Sequence, residues 1–154
     1  MGQFMKISEA IKPGNVFLDV SASSKSNILK FIAGKAAAAL GVSAEDVYDA
    51  VQSRETLGST GVGSGIAIPH AQLNGVVSPF ALMTRLSRPI DFEAIDEAPV
   101  DIVCLILTPP GEQSQYLKLL SQFARQLRSS EVVKSIRSAT QPEQIYEAMT
   151  GCER

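Results

Sequence analysis

Chemistry in this chain centres on one residue, because its 154 residues include only one histidine, His70. His70 closes a glycine-rich run, Gly58-Ser59-Thr60-Gly61-Val62-Gly63-Ser64-Gly65, followed by the apolar segment Ile66-Ala67-Ile68-Pro69. One histidine cannot build a multi-histidine metal site. It can act as a general base, or as a nucleophile that accepts a group and passes it on. Glycines let backbone N–H groups approach an anion, and successive N–H groups can form an anion-binding concavity. Ser59, Thr60 and Ser64 add hydroxyl donors. Arg54, upstream, adds a planar cationic fork suited to phosphate. Phosphoryl transfer needs mostly positioning and charge stabilisation, so a site this sparse suffices for it.

Other chemistries lack their motifs. No Lys-Ser or Lys-Thr follows the last glycine, which excludes a Walker A loop. The glycines lead into a strand and do not open a helix after one, unlike a dinucleotide fingerprint. A G-x-S-x-G nucleophile elbow is absent. Ser59, Ser64 and several aspartates could supply a Ser-His-Asp triad, but nothing in the pattern positions them, which disfavours a hydrolase.

The elements that must hold these residues are legible in outline. Val16-Phe-Leu-Asp-Val20 reads as a strand. A helix follows, capped by Ser23 or Ser24, with Ile28, Ile32, Ala36 and Leu40 along one face and Gly41 as its stop. Ser43-Ala-Glu-Asp46 opens the next helix, whose apolar face carries Val47, Ala50 and Val51. Arg54 falls on that same face at the helix end, where a cation also suits the helix dipole. The glycine run leads to a strand expected to end near Pro69-His70, placing His70 at the mouth of the sheet. Pro79–Leu86 reads as a strand, Arg88–Phe92 as a short extended piece, and Val100–Leu107 as a central strand buried on both faces. Thr108-Pro-Pro-Gly111 breaks it. A long helix from about Gln113 to Ser129 shows Leu117, Leu120, Ala124 and Leu127 on one face. A short helix covers Glu131–Ser138, and Thr140-Gln-Pro-Glu143 fits a capping box for a last helix with Ile145, Tyr146 and Met149 inward. The expected class is α/β: one domain, with a mixed sheet of about five strands flanked by helices on both faces.

Composition bounds the function. A net charge of -2, with no polybasic run, argues against a nucleic-acid binder. No apolar stretch approaches the roughly 20 residues needed to cross a bilayer, and the first residues lack a signal-peptide core. A cytoplasmic location without membrane insertion is therefore expected. Cys104 and Cys152 have no metal-type spacing, and they read as a core cysteine and a frayed-tail cysteine. No metal and no cofactor is called for.

Ser53-Arg-Glu-Thr-Leu-Gly-Ser-Thr-Gly-Val-Gly-Ser-Gly-Ile-Ala-Ile-Pro-His70 resembles the signature of IIA domains of the fructose/mannitol class in the phosphoenolpyruvate-dependent phosphotransferase system, in particular their nitrogen-regulatory branch. Arg88-Pro-Ile-Asp-Phe-Glu-Ala-Ile-Asp-Glu-Ala-Pro-Val-Asp101 matches the stretch such proteins carry before the central strand. The resemblance runs from about Lys6 to Met149 and implies a domain over residues 6–150 with short tails at 1–5 and 151–154. It implies that His70 accepts phosphate on Nε2 from an HPr-like phosphocarrier (NPr), supplied in turn by enzyme I-Ntr. It also implies that Arg54 steadies the phosphorylated form and that Ser59 and Thr60 border the site. The protein would be a phosphoryl carrier rather than a stand-alone enzyme. A sensor kinase or a potassium-transport protein would be its target. Where the family often has a second histidine, this chain has Tyr116, a phenol that can donate to phosphate but carries no positive charge. Tyr116 either contacts phosphate or only packs. Two alternatives follow: a sugar-specific IIA component serving a IIB protein, or a regulatory binding module that is never phosphorylated.

Overall fold

A period of two runs through the apolar segment at Val100 and decides how the chain is layered. The computed structural model describes residues 5–111 and 113–153. In chain order its elements are α1 (Ile7–Ala10), β1 (Val16–Val20), α2 (Lys25–Leu40), α3 (Ala44–Glu55), β2 (Gly61–Gly63), β3 (Ile66–Ala67), β4 (His70–Gln72), β5 (Phe80–Ile90), β6 (Val100–Thr108), α4 (Gln113–Arg128), α5 (Ser130–Ser138) and α6 (Pro142–Thr150). Alternate β6 side chains point to opposite faces of the sheet. Val103, Leu105 and Leu107 join a core built from α2 and α3, including Ile28, Ile32, Val47 and Val51. Ile102, Cys104 and Ile106 join a second core with α1, α4, α5 and α6, including Ile7, Phe123, Ile136 and Met149. The chain is thus a single α/β domain with helices on both faces of one mixed sheet.

The strand order is β1-β5-β6-β3-β2, with β4 also paired to β6. β5 runs antiparallel to β6, whereas β3 and β4 run parallel to it. The sheet has six strands where about five were expected, because the strand expected to end near Pro69-His70 resolves into β2, β3 and β4, while the two pieces expected between Pro79 and Phe92 merge into β5. β3 stops at Ala67, and β4 begins at His70 opposite Ile106. Proline has no N–H for a ladder, so Pro69 breaks the strand, and pairing resumes one residue later.

Local signals act as expected at the helix ends. Ser24 and Ser43 cap α2 and α3, accepting from the backbone N–H of Asn27 and Asp46. Gly41 closes α2 at φ 71°. Three details differ from expectation. Residues 80–90 form one strand, not a strand and a separate piece. The last helix is capped at Gln141 with Gln144 completing the box, because Pro142 takes the first helical position. On α4 the buried ridge is Leu119, Phe123 and Leu127, whereas Leu117 is 60% exposed. Apolar residues cover more of that helix than one face can bury.

Of the expected tails, residues 1–4 and 154 lie outside the described residues. Gly151–Glu153 forms a 3-10 turn, so Cys152 does not sit in a frayed tail. The Glu153 carboxylate accepts from the N–H groups of Ile7 and Ser8 at 2.7 and 3.2 Å, which ties the chain end to α1. Cys104 is fully buried and its thiol pKa is pushed up by that burial, which leaves it inert. Among the described residues no helix is long and apolar enough to cross a membrane.

The glycine run is a hairpin. Ser64 and Gly65, at φ 58° and 83°, make a two-residue turn between β2 and β3. A Cβ on Gly65 would lie 2.5 Å from Arg137 Nη2 and 2.9 Å from Asp101 Oδ1. Gly65→Ala is expected to lose about 1–3 kcal/mol, read as a lower urea midpoint with an unchanged slope.

Candidate functional site

The break at Pro69 builds the site. Ile68 leaves the β3 ladder, its N–H donating to Thr60 O at 2.9 Å, and the Pro69 carbonyl accepts from Ile106 N at 2.9 Å. The kink aims the Ile68 carbonyl at the imidazole, with His70 Nδ1 2.8 Å from Ile68 O. A carbonyl only accepts, so Nδ1 carries the proton and Nε2 keeps its lone pair. The pKa of His70 lies below its ordinary value. Burial is the largest cause; the Ile68 carbonyl opposes it, Arg54 adds to it and Glu55 opposes it. At neutral pH His70 is a neutral imidazole with a preset nucleophilic nitrogen.

A cleft of about 570 Å³ collects the remaining groups. The end of α3 supplies Arg54, the turn after it supplies Leu57, β4 supplies His70, β6 supplies Thr108, and the start of α4 supplies Tyr116 and Leu117. Arg54 Nη1 donates to the Gly58 carbonyl at 2.9 Å, which orients the guanidinium and leaves its other donors for an anion. Leu57 and Leu117 are 83% and 60% exposed, so apolar side chains with no cover flank the cleft. The fold thus brings His70, Arg54 and Tyr116 together.

Ser59 and Thr60 do not line that cleft. Ser59 Oγ donates to the Phe92 carbonyl at 2.9 Å and accepts from Gly61 N at 3.0 Å. The Thr60 hydroxyl donates to Glu55 Oε2, and Thr60 N donates to Glu55 Oε1 at 3.2 Å. Both hydroxyls fold the loop. Nor is the loop an open anion cradle, because Ser64 N is taken by Asp96 Oδ2 at 3.0 Å.

Glu55 is the residue the sequence reading missed. It is a buried acidic residue, and its Oε1 also lies 2.9 Å from Lys25 Nζ. It sits in the last turn of α3, where a negative charge opposes the helix dipole. That placement was the available signal, since an acid there calls for a partner. Glu55 joins the helix that carries Arg54 to the loop that leads to His70. Among the described residues no group of three or more His, Cys, Asp or Glu side chains could hold a metal.

Known proteins share this sequence pattern and this fold. Residues 9–151 match the family model described as "Phosphoenolpyruvate-dependent sugar phosphotransferase system, EIIA 2". A "Nitrogen regulatory protein" of Bradyrhizobium diazoefficiens is 38% identical over 145 residues, 94% of this chain and 95% of its own. The crystal structure of nitrogen regulatory protein IIA-Ntr from Neisseria meningitidis superposes with a TM-score of 0.89 at 28% identity, covering 94% of this chain and 99% of that one. The Escherichia coli complex of enzyme IIA-mannitol with phosphorylated enzyme IIB-mannitol shares the fold, with a TM-score of 0.78 at 19% identity over 92% of this chain and 97% of that one.

The proton NMR titration of the sole imidazole is expected to have its midpoint below 6.5, the ordinary histidine value. The unfolded chain takes up this proton first as pH falls, so His70 withdraws stability between pH 6.5 and its folded pKa. Glu55→Gln is expected to lose about 1–3 kcal/mol in chemical unfolding and to move that midpoint further down.

Proposed function

The chain belongs to the EIIA type-2 family of the phosphoenolpyruvate-dependent phosphotransferase system, and from that premise we propose that it is a phosphoryl-carrying regulator of the nitrogen-related branch. Its Nε2 lone pair attacks the phosphorus of a phosphohistidine on an HPr-like carrier, itself loaded through enzyme I. The donor's P–N bond breaks, its bonding pair returns to the donor nitrogen, and a new P–Nε2 bond forms on His70. His70 keeps its Nδ1 proton, and the Ile68 carbonyl steadies the positive charge that builds on the ring. Arg54 faces the phosphoryl oxygens as a cation. Tyr116 replaces the family's frequent second histidine with a neutral hydrogen-bond donor. Ser59 and Thr60 contribute through loop shape and touch no oxygen of the group.

The observation that carries this reading is the 2.8 Å contact that leaves Nε2 free beside Arg54. The exposed Leu57 and Leu117 supply the surface on which a carrier docks, at a cytoplasmic location. Phosphorylation adds about -1.5 to -2 charge between these leucines, which changes the partners the surface tolerates. The relatives' names favour regulation over sugar transport, and a sensor kinase or a potassium-transport protein is the expected class of target.

Incubation with phosphoenolpyruvate, enzyme I and an HPr-type carrier is expected to add one acid-labile phosphoryl group, read by intact-protein mass spectrometry and absent from His70→Ala. No gain, with a known IIA protein labelled in parallel, would leave a binding module without the chemistry. Arg54→Ala is expected to slow transfer by about 10²-fold with folding intact. Tyr116→His is expected to stabilise the phosphorylated form, measured as slower loss of the added mass.

A further inference from the structure

A second cleft, of about 860 Å³, lies toward the other end of α4. Tyr116 and Arg128 are separated along that helix by about 18 Å at its standard rise, so the two clefts do not share a mouth. The walls of the second cleft are the β2–β3 hairpin and helices α4 and α5. Its floor is apolar, formed by Ile66, Leu127 and Val133, and Val62 stands on the hairpin 51% exposed. Its rim is cationic. Arg137 is committed to Asp101 at 2.8 and 3.0 Å and to the Ser64 carbonyl at 2.9 Å. Arg128 and Lys134, both exposed, have no ion-pair partner among the described residues. In a chain of net charge -2, every charged side chain that lines this cleft is cationic.

We propose that this cleft docks an acidic, apolar-anchored segment of a partner protein. An apolar side chain of that segment seats between Val62 and Val133, and its carboxylates meet Arg128 and Lys134. A small inorganic anion would leave the apolar floor wet. Nucleic acid requires many cations, and the net charge opposes it. The partner does not extend the sheet, because the hairpin's outer edge is already covered: Ile95 N donates to Gly61 O at 3.2 Å and Ser64 N to Asp96. Side chains carry the contact. Since the surface lies away from His70, a bound partner leaves the first cleft open to a phosphoryl donor.

The test pans a displayed library of random peptides against the whole chain and against the double variant Arg128→Glu, Lys134→Glu. Peptides enriched on the wild type are expected to be acidic with at least one large apolar residue. They should lose about tenfold or more in affinity on the double variant, and amide NMR shifts should map to Val62 and Val133. Both substituted residues are exposed, and thermal melting checks that the variant folds. Neutral or basic winners, equal binding to both chains, shifts confined to the His70 cleft, or no enrichment would each overturn the proposal. Nothing in this assay depends on phosphorylation, so it fails or succeeds separately from the function proposed for His70.

Discussion

The hydrogen bond from His70 Nδ1 to the Ile68 carbonyl, 2.8 Å long, is the constraint on which the site turns. It joins residues two apart in sequence; in a regular strand the carbonyl of the first lies in the plane of the sheet, along the ladder, while the side chain of the second stands roughly perpendicular to that plane. The contact exists because Pro69 interrupts the ladder and lets the backbone kink before β4 resumes on β6. The kink is secured on both sides: Ile68 N is held by Thr60, and Pro69 O is held by Ile106. The outcome is a chosen tautomer. A free imidazole exchanges its proton between two nitrogens, whereas this one presents Nε2 to the cleft without that exchange.

The cation beside it is positioned by a different device. Glu55, buried with Thr60 and paired with the half-buried Lys25, anchors the end of α3 to the loop that follows. Burying a carboxylate is costly unless its lone pairs are filled, and here an ammonium, an amide and a hydroxyl fill them. The arrangement sets the separation between the helix that carries Arg54 and the strand that carries His70. Neither group would hold its place through apolar packing alone, since each sits at an element's end. Polar anchoring of this kind fixes direction, which apolar burial does not.

Much of this was legible in the residues. Capping serines, the left-handed Gly41 and the double-faced alternation of Val100–Thr108 are local signals, and each appears where its chemistry requires. Arg54 and His70 were legible as residue types, and the family resemblance supplied their pairing. The strand end at Pro69 was legible too, but the restart at His70 was not, because it depends on pairing with Ile106, which is remote in sequence. The exposure of Leu117 was hidden by an apolar stripe wider than the core it packs on. The glycine run suggested an anion cradle, yet Gly65 answers to Arg137 and Asp101, and Thr60 answers to Glu55. Glycine permits close approach without saying what approaches.

The central claim is that His70 works as a neutral imidazole through Nε2. Because it is the chain's one histidine, a long-range proton–nitrogen correlation spectrum of the ¹⁵N-labelled protein shows a single imidazole. At neutral pH the account predicts a protonated Nδ1 and a bare Nε2. After exposure to a phosphorylated carrier it predicts phosphorus coupling at Nε2 with the Nδ1 proton retained. A proton on Nε2 in the free protein, or phosphorus on Nδ1, would contradict it.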